Sequence, residues 1–218
     1  KSLQPDLVLS TVPIKNCGVQ TIVLSSIPTS QEIKELRAAL GFGSSEPGVK
    51  QKEGLESKHG FSGGTKPVLS DVLVAETIAL DVEAKDWEEG VRLAGVLLVR
   101  SGSIEERYVD SMVKAVQELG PYIVIAPGIA MPHARPEDGA RKIGLSLVRL
   151  KNPVSFGNPT NDPVDLIIGL SAVDSDSHLK LLAQLSKLVN NRNYLKVIRE
   201  AGSKEGILAL VSQVSEEN

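Results

Sequence analysis

Two of the three histidines in this sequence stand in surroundings that suit chemistry. His133 lies in the run PGIAMPHARPEDG, where prolines on either side of His133-Ala134-Arg135 fix the backbone and hold the imidazole at low entropic cost. A neutral imidazole can attack phosphorus, and a guanidinium such as that of Arg135 can pair with phosphoryl oxygens. In an extended segment the two side chains would point to the same face. These residue types and this spacing fit an acceptor of a phosphoryl group.

The second histidine of interest, His178, follows the run DSDS at the predicted start of a helix. Free N–H groups and the positive end of the helix dipole favour a bound phosphoryl group at such a place. The third, His59, lies beside Lys58 in a polar run and is predicted to be solvated. A simpler interpretation stays open from the residues alone. In it, His133 is a turn residue and His178 only hydrogen-bonds its neighbours at a helix start.

No metal or organic cofactor is predicted from the motifs. The acidic run before His178 lacks the Gly and Glu of a calcium loop, since Leu179 and Leu185 stand at those positions. The lone cysteine, Cys17, has no flanking histidine or basic residue and is predicted to be an inert thiol. A single cysteine also forms no internal disulfide, as expected in a reducing compartment.

Composition excludes several classes of function. The net charge of −3 argues against nucleic-acid contact, which needs clustered Lys and Arg. The apolar stretches are too short to span a bilayer, and the chain starts without a secretory signal pattern. We therefore expect a cytoplasmic protein with no membrane insertion.

A run of Gly, Ser and charged residues at 41–66 divides the sequence and predicts a linker. The predicted organisation is a short segment at 1–42, a linker at 43–67 and a domain at 68–218. The short segment has two apolar runs of strand length, Leu7 to Val12 and Thr21 to Ile27. A capping-box spacing and a helical pattern follow them, which is too little for an independent domain.

Strand and helix patterns mix throughout the predicted domain. Asp86 is predicted to cap one helix, and a Ser103–Glu106 capping box to begin a second that ends at Gly120. Strands are predicted at residues 78–82, 122–126, 143–150 (half-exposed) and 164–172 (central), and further helices near 179–189, 193–200 and 204–214. The mixture predicts an α/β domain whose helices cover a central sheet.

The stretch from GPYIVIAPGIAMPHARPEDG to NDPVDLIIGLSAVDSDSHLKLLAQLSKLV resembles the IIA component of the phosphoenolpyruvate-dependent sugar phosphotransferase system. The resemblance covers about residues 68 to 216 and is closest to the ascorbate-type branch of the mannitol/fructose family. It implies a mixed β-sheet flanked by helices. It also implies that His133 is phosphorylated by the phosphocarrier protein HPr and hands the group to a cysteine on a IIB partner. His178 would then steady the phosphoryl group, and Arg135 is a second candidate for that role.

The first segment, with PDLVLSTVPI and SQEIKEL, resembles part of a galactitol-type, Rossmann-like IIB domain without its phosphate-bearing cysteine loop. Transcription regulators with regulation domains of the phosphotransferase system end in this order of segments. The resemblance therefore leaves two alternatives open: a transport component, or the sensory end of a regulator controlled through His133 and its own upstream domains. A binding module without phosphorylation is a third.

Overall fold

The structure, a computed structural model, describes residues 7–10, 20–23, 67–173 and 179–216. The chain divides into two units, Lys1–Lys66 and Pro67–Asn218. In the first, strands β1 (Leu7–Ser10) and β2 (Gln20–Val23) pair in parallel, which confirms the two predicted strands. The helix predicted after them and nearly all of the linker lie outside the described residues. The domain boundaries and the likeness to IIB therefore stay predictions.

The second unit is built on a mixed sheet of five strands. They are β3 (Ile78–Val82), β4 (Val124–Ala126), β5 (Ile129–Ala130), β6 (Gly144–Val154) and β7 (Val164–Ser171). Their order across the sheet is β3-β6-β7-β5-β4. The pairs β3–β6 and β5–β7 are parallel, whereas β6–β7 and β4–β5 are antiparallel. The mixed α/β class and the central place of β7 are confirmed.

Two helices cover one face of the sheet. Helix α2 (Trp87–Arg100) begins as predicted, because the Asp86 carboxylate accepts the N–H of Glu89 at 2.9 Å. Helix α3 (Glu106–Leu119) ends at Gly120, whose φ of 77° suits a residue without a Cβ. The predicted Ser103–Glu106 capping box is wrong. Glu105 precedes the helix, and the Ser103 hydroxyl bonds that of Ser101 instead.

The remaining helices lie on the other face. They are α1 (Leu69–Val72), α4 (Leu179–Asn190), α5 (Arg192–Glu200) and α6 (Lys204–Glu216). The side chain of Arg149 on β6 reaches this layer, where it donates to the carbonyls of Ile198, Arg199 and Ala201 at 2.8–3.1 Å. These carbonyls lie at the C-terminal end of α5 and would otherwise lack partners. The guanidinium therefore joins the sheet to α5.

Strand β6 shows that helices cover both faces of the sheet. Ser146 donates to the carbonyl of Ala94 on α2, while Arg149, of opposite parity, points to α5. Every residue from Gly144 to Leu150 is buried. The prediction of a half-exposed strand is therefore wrong, because alternation along a strand does not show that a second helix layer covers its polar positions. No helix within residues 67–173 and 179–216 is long and apolar enough to cross a membrane.

Candidate active site

The segment that carries His133 continues from the short inner strand β5. Gly128, directly before this strand, has a φ of 76°, and a Cβ there would meet the ion pair between Arg199 and Asp165. The structure places Ile129 and Ala130 between β4 and β7, both buried. The inner strand β5 therefore ends three residues before His133 and fixes where the candidate site begins.

The residues after β5, 131–135, form no regular structure but are fastened on both sides; we call them the His133 loop. The N–H of Met131 donates to the carbonyl of Ile123 at 2.7 Å, and the N–H of Leu170 donates to the carbonyl of Pro132 at 3.1 Å. Met131 and Pro132 are buried, whereas His133 is half-buried. The buried, hydrogen-bonded residues Met131 and Pro132 thus hold His133 at the surface.

The imidazole of His133 is oriented by two contacts. Its Nδ1 lies 2.9 Å from the carbonyl oxygen of Met131, and the Tyr122 ring packs edge to face at a centroid distance of 5.8 Å. A carbonyl oxygen only accepts hydrogen bonds, so Nδ1 must carry the proton. The lone pair of the neutral ring is then on Nε2. This is the arrangement of a nucleophile whose second nitrogen is held by the protein.

The hydroxyl of Tyr108, on α3, holds the residue that follows His133. It accepts the N–H of Ala134 at 3.0 Å and lies 2.9 Å from the carbonyl of Ala134 and 3.1 Å from that of Leu170. Burial raises the pKa of this hydroxyl above its ordinary value, so it remains protonated at neutral pH. Tyr108 was not among the site residues predicted from the sequence. No local pattern signals a contact across 26 positions.

The side chain of Arg135, the last residue of the His133 loop, is exposed. Its backbone is held by Asp138, whose carboxylate accepts the Arg135 N–H at 3.2 Å and whose N–H donates to the Arg135 carbonyl at 3.0 Å. The guanidinium makes no hydrogen bond or ion pair with the residues that the structure describes. Its predicted role stays a prediction.

His178 lies outside the described residues, so its predicted contact with the phosphoryl group stays a prediction. The chain around it is placed on both sides. Strand β7 ends at Ser171 close to the His133 loop, which its Leu170 N–H contacts, and α4 begins at Leu179. Within the described parts of the chain no three His, Cys, Asp or Glu side chains are grouped to hold a metal ion.

Comparison with known protein families gives a match over most of the second unit. Residues 71–214 match the family model described as phosphoenolpyruvate-dependent sugar phosphotransferase system, EIIA 2. The chain belongs to this family. It is accordingly a phosphoryl-carrier component of the phosphotransferase system, a class of transferases that carry the group on a histidine.

Two kinds of relatives are similar to the second unit. The ascorbate-specific EIIA component of Escherichia coli K12 is 38% identical over 141 residues, which are 64% of this chain and 92% of that protein. The solution structure of the mannitol-specific cryptic enzyme IIA of E. coli is 39% identical, with a TM-score of 0.61 over 66% of this chain and 98% of that one. The mannitol-type IIA fold of the second unit is thereby confirmed.

One similar structure also shows a partner. It is the complex of the mannitol enzyme IIA with phosphorylated enzyme IIB from E. coli. Its matching chain is 27% identical, with a TM-score of 0.58 over 65% of this chain and 99% of that one. EIIA domains of this family thus interact with a IIB domain.

Proposed function

We propose that Nε2 of His133 accepts a phosphoryl group from HPr and passes it to the cysteine of a IIB partner of the ascorbate branch. The observation that carries this proposal is the 2.9 Å contact of Nδ1 with the Met131 carbonyl. In the first step the Nε2 lone pair forms a bond to phosphorus. The bond between phosphorus and HPr breaks, and its electron pair stays with HPr. In the second, the cysteine thiolate attacks phosphorus and the Nε2–P bond breaks.

The bond from Nδ1 serves both steps. While Nε2 carries phosphate, the proton stays on Nδ1 and donates to the Met131 carbonyl, so the ring keeps its orientation and a positive ring stays hydrogen-bonded. Catalysis then consists of positioning and charge stabilisation. Arg135 is the cation we assign to the phosphoryl oxygens, since its side chain is exposed in the same loop, two residues after His133. His178 is the second group we assign to them.

The ascorbate branch is supported by the 38% identity to the ascorbate-specific component. Relay between HPr and a IIB protein agrees with the cytoplasmic location predicted from composition. No described residue favours the regulator alternative, so the transport function is the one we propose.

The proposal is tested by incubating the chain with phosphoenolpyruvate, enzyme I and HPr. Wild type should acquire one acid-labile phosphate, and His133→Ala should acquire none. His59→Ala is the matched control, because it removes another histidine and should be labelled like wild type. A label retained by His133→Ala would overturn the assignment, and an unlabelled wild type would favour a binding module instead. Labelled protein should then transfer its phosphate to an ascorbate-type IIB protein faster than to a mannitol-type one.

A further inference from the structure

The hydroxyl of Tyr108 closes a ring of hydrogen bonds around His133. Leu170 contributes both ends of this ring: its N–H donates to the Pro132 carbonyl, and its carbonyl lies 3.1 Å from the Tyr108 hydroxyl. That hydroxyl in turn accepts the N–H of Ala134 at 3.0 Å. The residue before His133 and the residue after it are therefore both fastened to one residue of β7. His133 itself stands between them without a backbone bond of its own within the described residues.

The ring of Tyr108 and its hydroxyl have separate tasks. The side chain is 1% exposed and packs in the core, a place that a phenylalanine would fill equally well. A hydroxyl taken into such a core costs free energy unless it is hydrogen-bonded. Here it meets two carbonyls and one N–H, and two of these three belong to Ala134. The hydroxyl therefore acts on the His133 loop rather than on the packing of α3.

The contact between Nδ1 and the Met131 carbonyl depends on this arrangement. The carbonyl and the imidazole are two residues apart, so the bond forms only while the backbone between them keeps its shape. The rigid Pro132 fixes part of that backbone, and the held Ala134 fixes the rest. Release of Ala134 would let the His133 backbone turn. The proton of the neutral ring could then lie on either nitrogen.

We propose that Tyr108 is a positioning residue for phosphoryl transfer, whose hydroxyl keeps the lone pair of His133 on Nε2 and aims it outward. The role rests on the proposed function of His133. Tyr108 does not touch the phosphoryl group, and its effect passes through the Ala134 peptide.

Tyr108→Phe tests the proposal, since it keeps the buried ring and removes only the hydroxyl. Thr77→Val is the matched control. The Thr77 hydroxyl, also in a residue only 1% exposed, accepts the N–H and donates to the carbonyl of one residue, Val74, just as Tyr108 bonds Ala134. It lies next to β3, at the edge of the sheet opposite β4. Both variants should lower the melting temperature by similar amounts.

Two measurements separate positioning from stability. Phosphorylation by phospho-HPr in Tyr108→Phe should show kcat lowered on the order of tenfold, with KM for phospho-HPr unchanged, because the nucleophile and not the docking surface is disturbed. Nitrogen-15 NMR of the unphosphorylated protein should show His133 with the proton on Nδ1 in wild type and in Thr77→Val. In Tyr108→Phe it should show a second tautomer with the proton on Nε2.

A Tyr108→Phe protein with the kcat and the tautomer of wild type would overturn the proposal, as would an equal loss of kcat in Thr77→Val. Failure of the proposed function looks different, because wild type itself would then not be labelled. The tautomer measurement needs no phosphate and judges the role of Tyr108 in either case.

Discussion

The His133 loop and the loop at residues 155–162 both lack regular secondary structure but are held in different ways. In the second loop a single carboxylate, that of Asp162, accepts the N–H groups of Phe156, Gly157 and Asn158 and the hydroxyl of Ser155 at 2.7–3.1 Å. All of these donors lie within seven residues of Asp162. The His133 loop is held from α3, β7 and the residue before β4, by groups remote in sequence.

The difference teaches which part of the molecule determines each geometry. The 155–162 loop organises itself around its own carboxylate, so its sequence contains most of what it needs. The His133 loop contributes Pro132 and the Met131 carbonyl, Pro136 follows it directly, and the fold supplies the rest. A site built in this way is correct only when the helix layer and the sheet are correctly packed. Changes in the two loops should therefore separate stability from phosphoryl transfer.

The largest expected effect is that of Tyr108→Ala. Removing a fully buried aromatic side chain costs about 4 kcal/mol of unfolding free energy, because it leaves a cavity between α3 and the sheet. Phosphorylation by phospho-HPr should be nearly lost even at temperatures where the variant is folded. Urea unfolding and labelling kinetics measure the two effects. A stable variant that is labelled at the wild-type rate would show that the His133 loop does not depend on α3.

Asp162→Ala should have an intermediate effect on stability and none on transfer. The variant loses four hydrogen bonds to a partly exposed carboxylate, which we expect to lower the unfolding free energy by about 2 kcal/mol. The rate of His133 phosphorylation should equal that of wild type, since the Asp162 carboxylate bonds only residues of its own loop. The same urea and labelling experiments check this. A rate reduced tenfold would contradict the separation of the two loops.

The smallest effect is the pH dependence of the Asp162 contribution. Partial burial acts to raise the pKa of this carboxyl, but the bonds from Ser155 and three backbone N–H groups outweigh it and hold the pKa below its ordinary value of 3.8. A lowered pKa means stability that is present above pH 3.8 and lost as pH falls through the folded value. The difference in unfolding free energy between wild type and Asp162→Ala should accordingly be constant from pH 5 to 7 and shrink below about pH 4. A difference that grows on acidification would reverse the assigned sign.

Local signals predicted those parts of the fold that local contacts determine. The Asp86 cap, the end of α3 at Gly120 and the central strand β7 are all found where the sequence analysis expected them. The two wrong predictions have different causes. Ser103 makes a competing local bond to Ser101 instead of capping α3, and β6 is covered on both faces by helices that its own alternation cannot reveal.

Some features of the candidate site were likewise predictable from the sequence, and others were not. The prolines and residue types around His133 predicted a phosphoryl acceptor, and the match to the phosphotransferase family agrees with that chemistry, while the assignment to His133 stays a prediction. The proton on Nδ1 and the hydrogen bonds of Tyr108 could not be predicted. The first depends on the exact backbone shape between Met131 and His133, and the second on a contact across 26 positions. Arg135 was expected to share a face with His133. The structure shows it exposed at the end of the His133 loop, and its effect on transfer stays a prediction.

The central claim is that the fold holds Nδ1 of His133 so that Nε2 carries the phosphoryl group. Its most direct test is phosphorus-31 and nitrogen-15 NMR of the wild-type chain after phosphorylation by phospho-HPr. The account predicts a single phosphohistidine with phosphorus coupled to Nε2 of His133, while the Nδ1 proton remains hydrogen-bonded to the Met131 carbonyl. Phosphorus coupled to Nδ1, or to a different histidine, would contradict it.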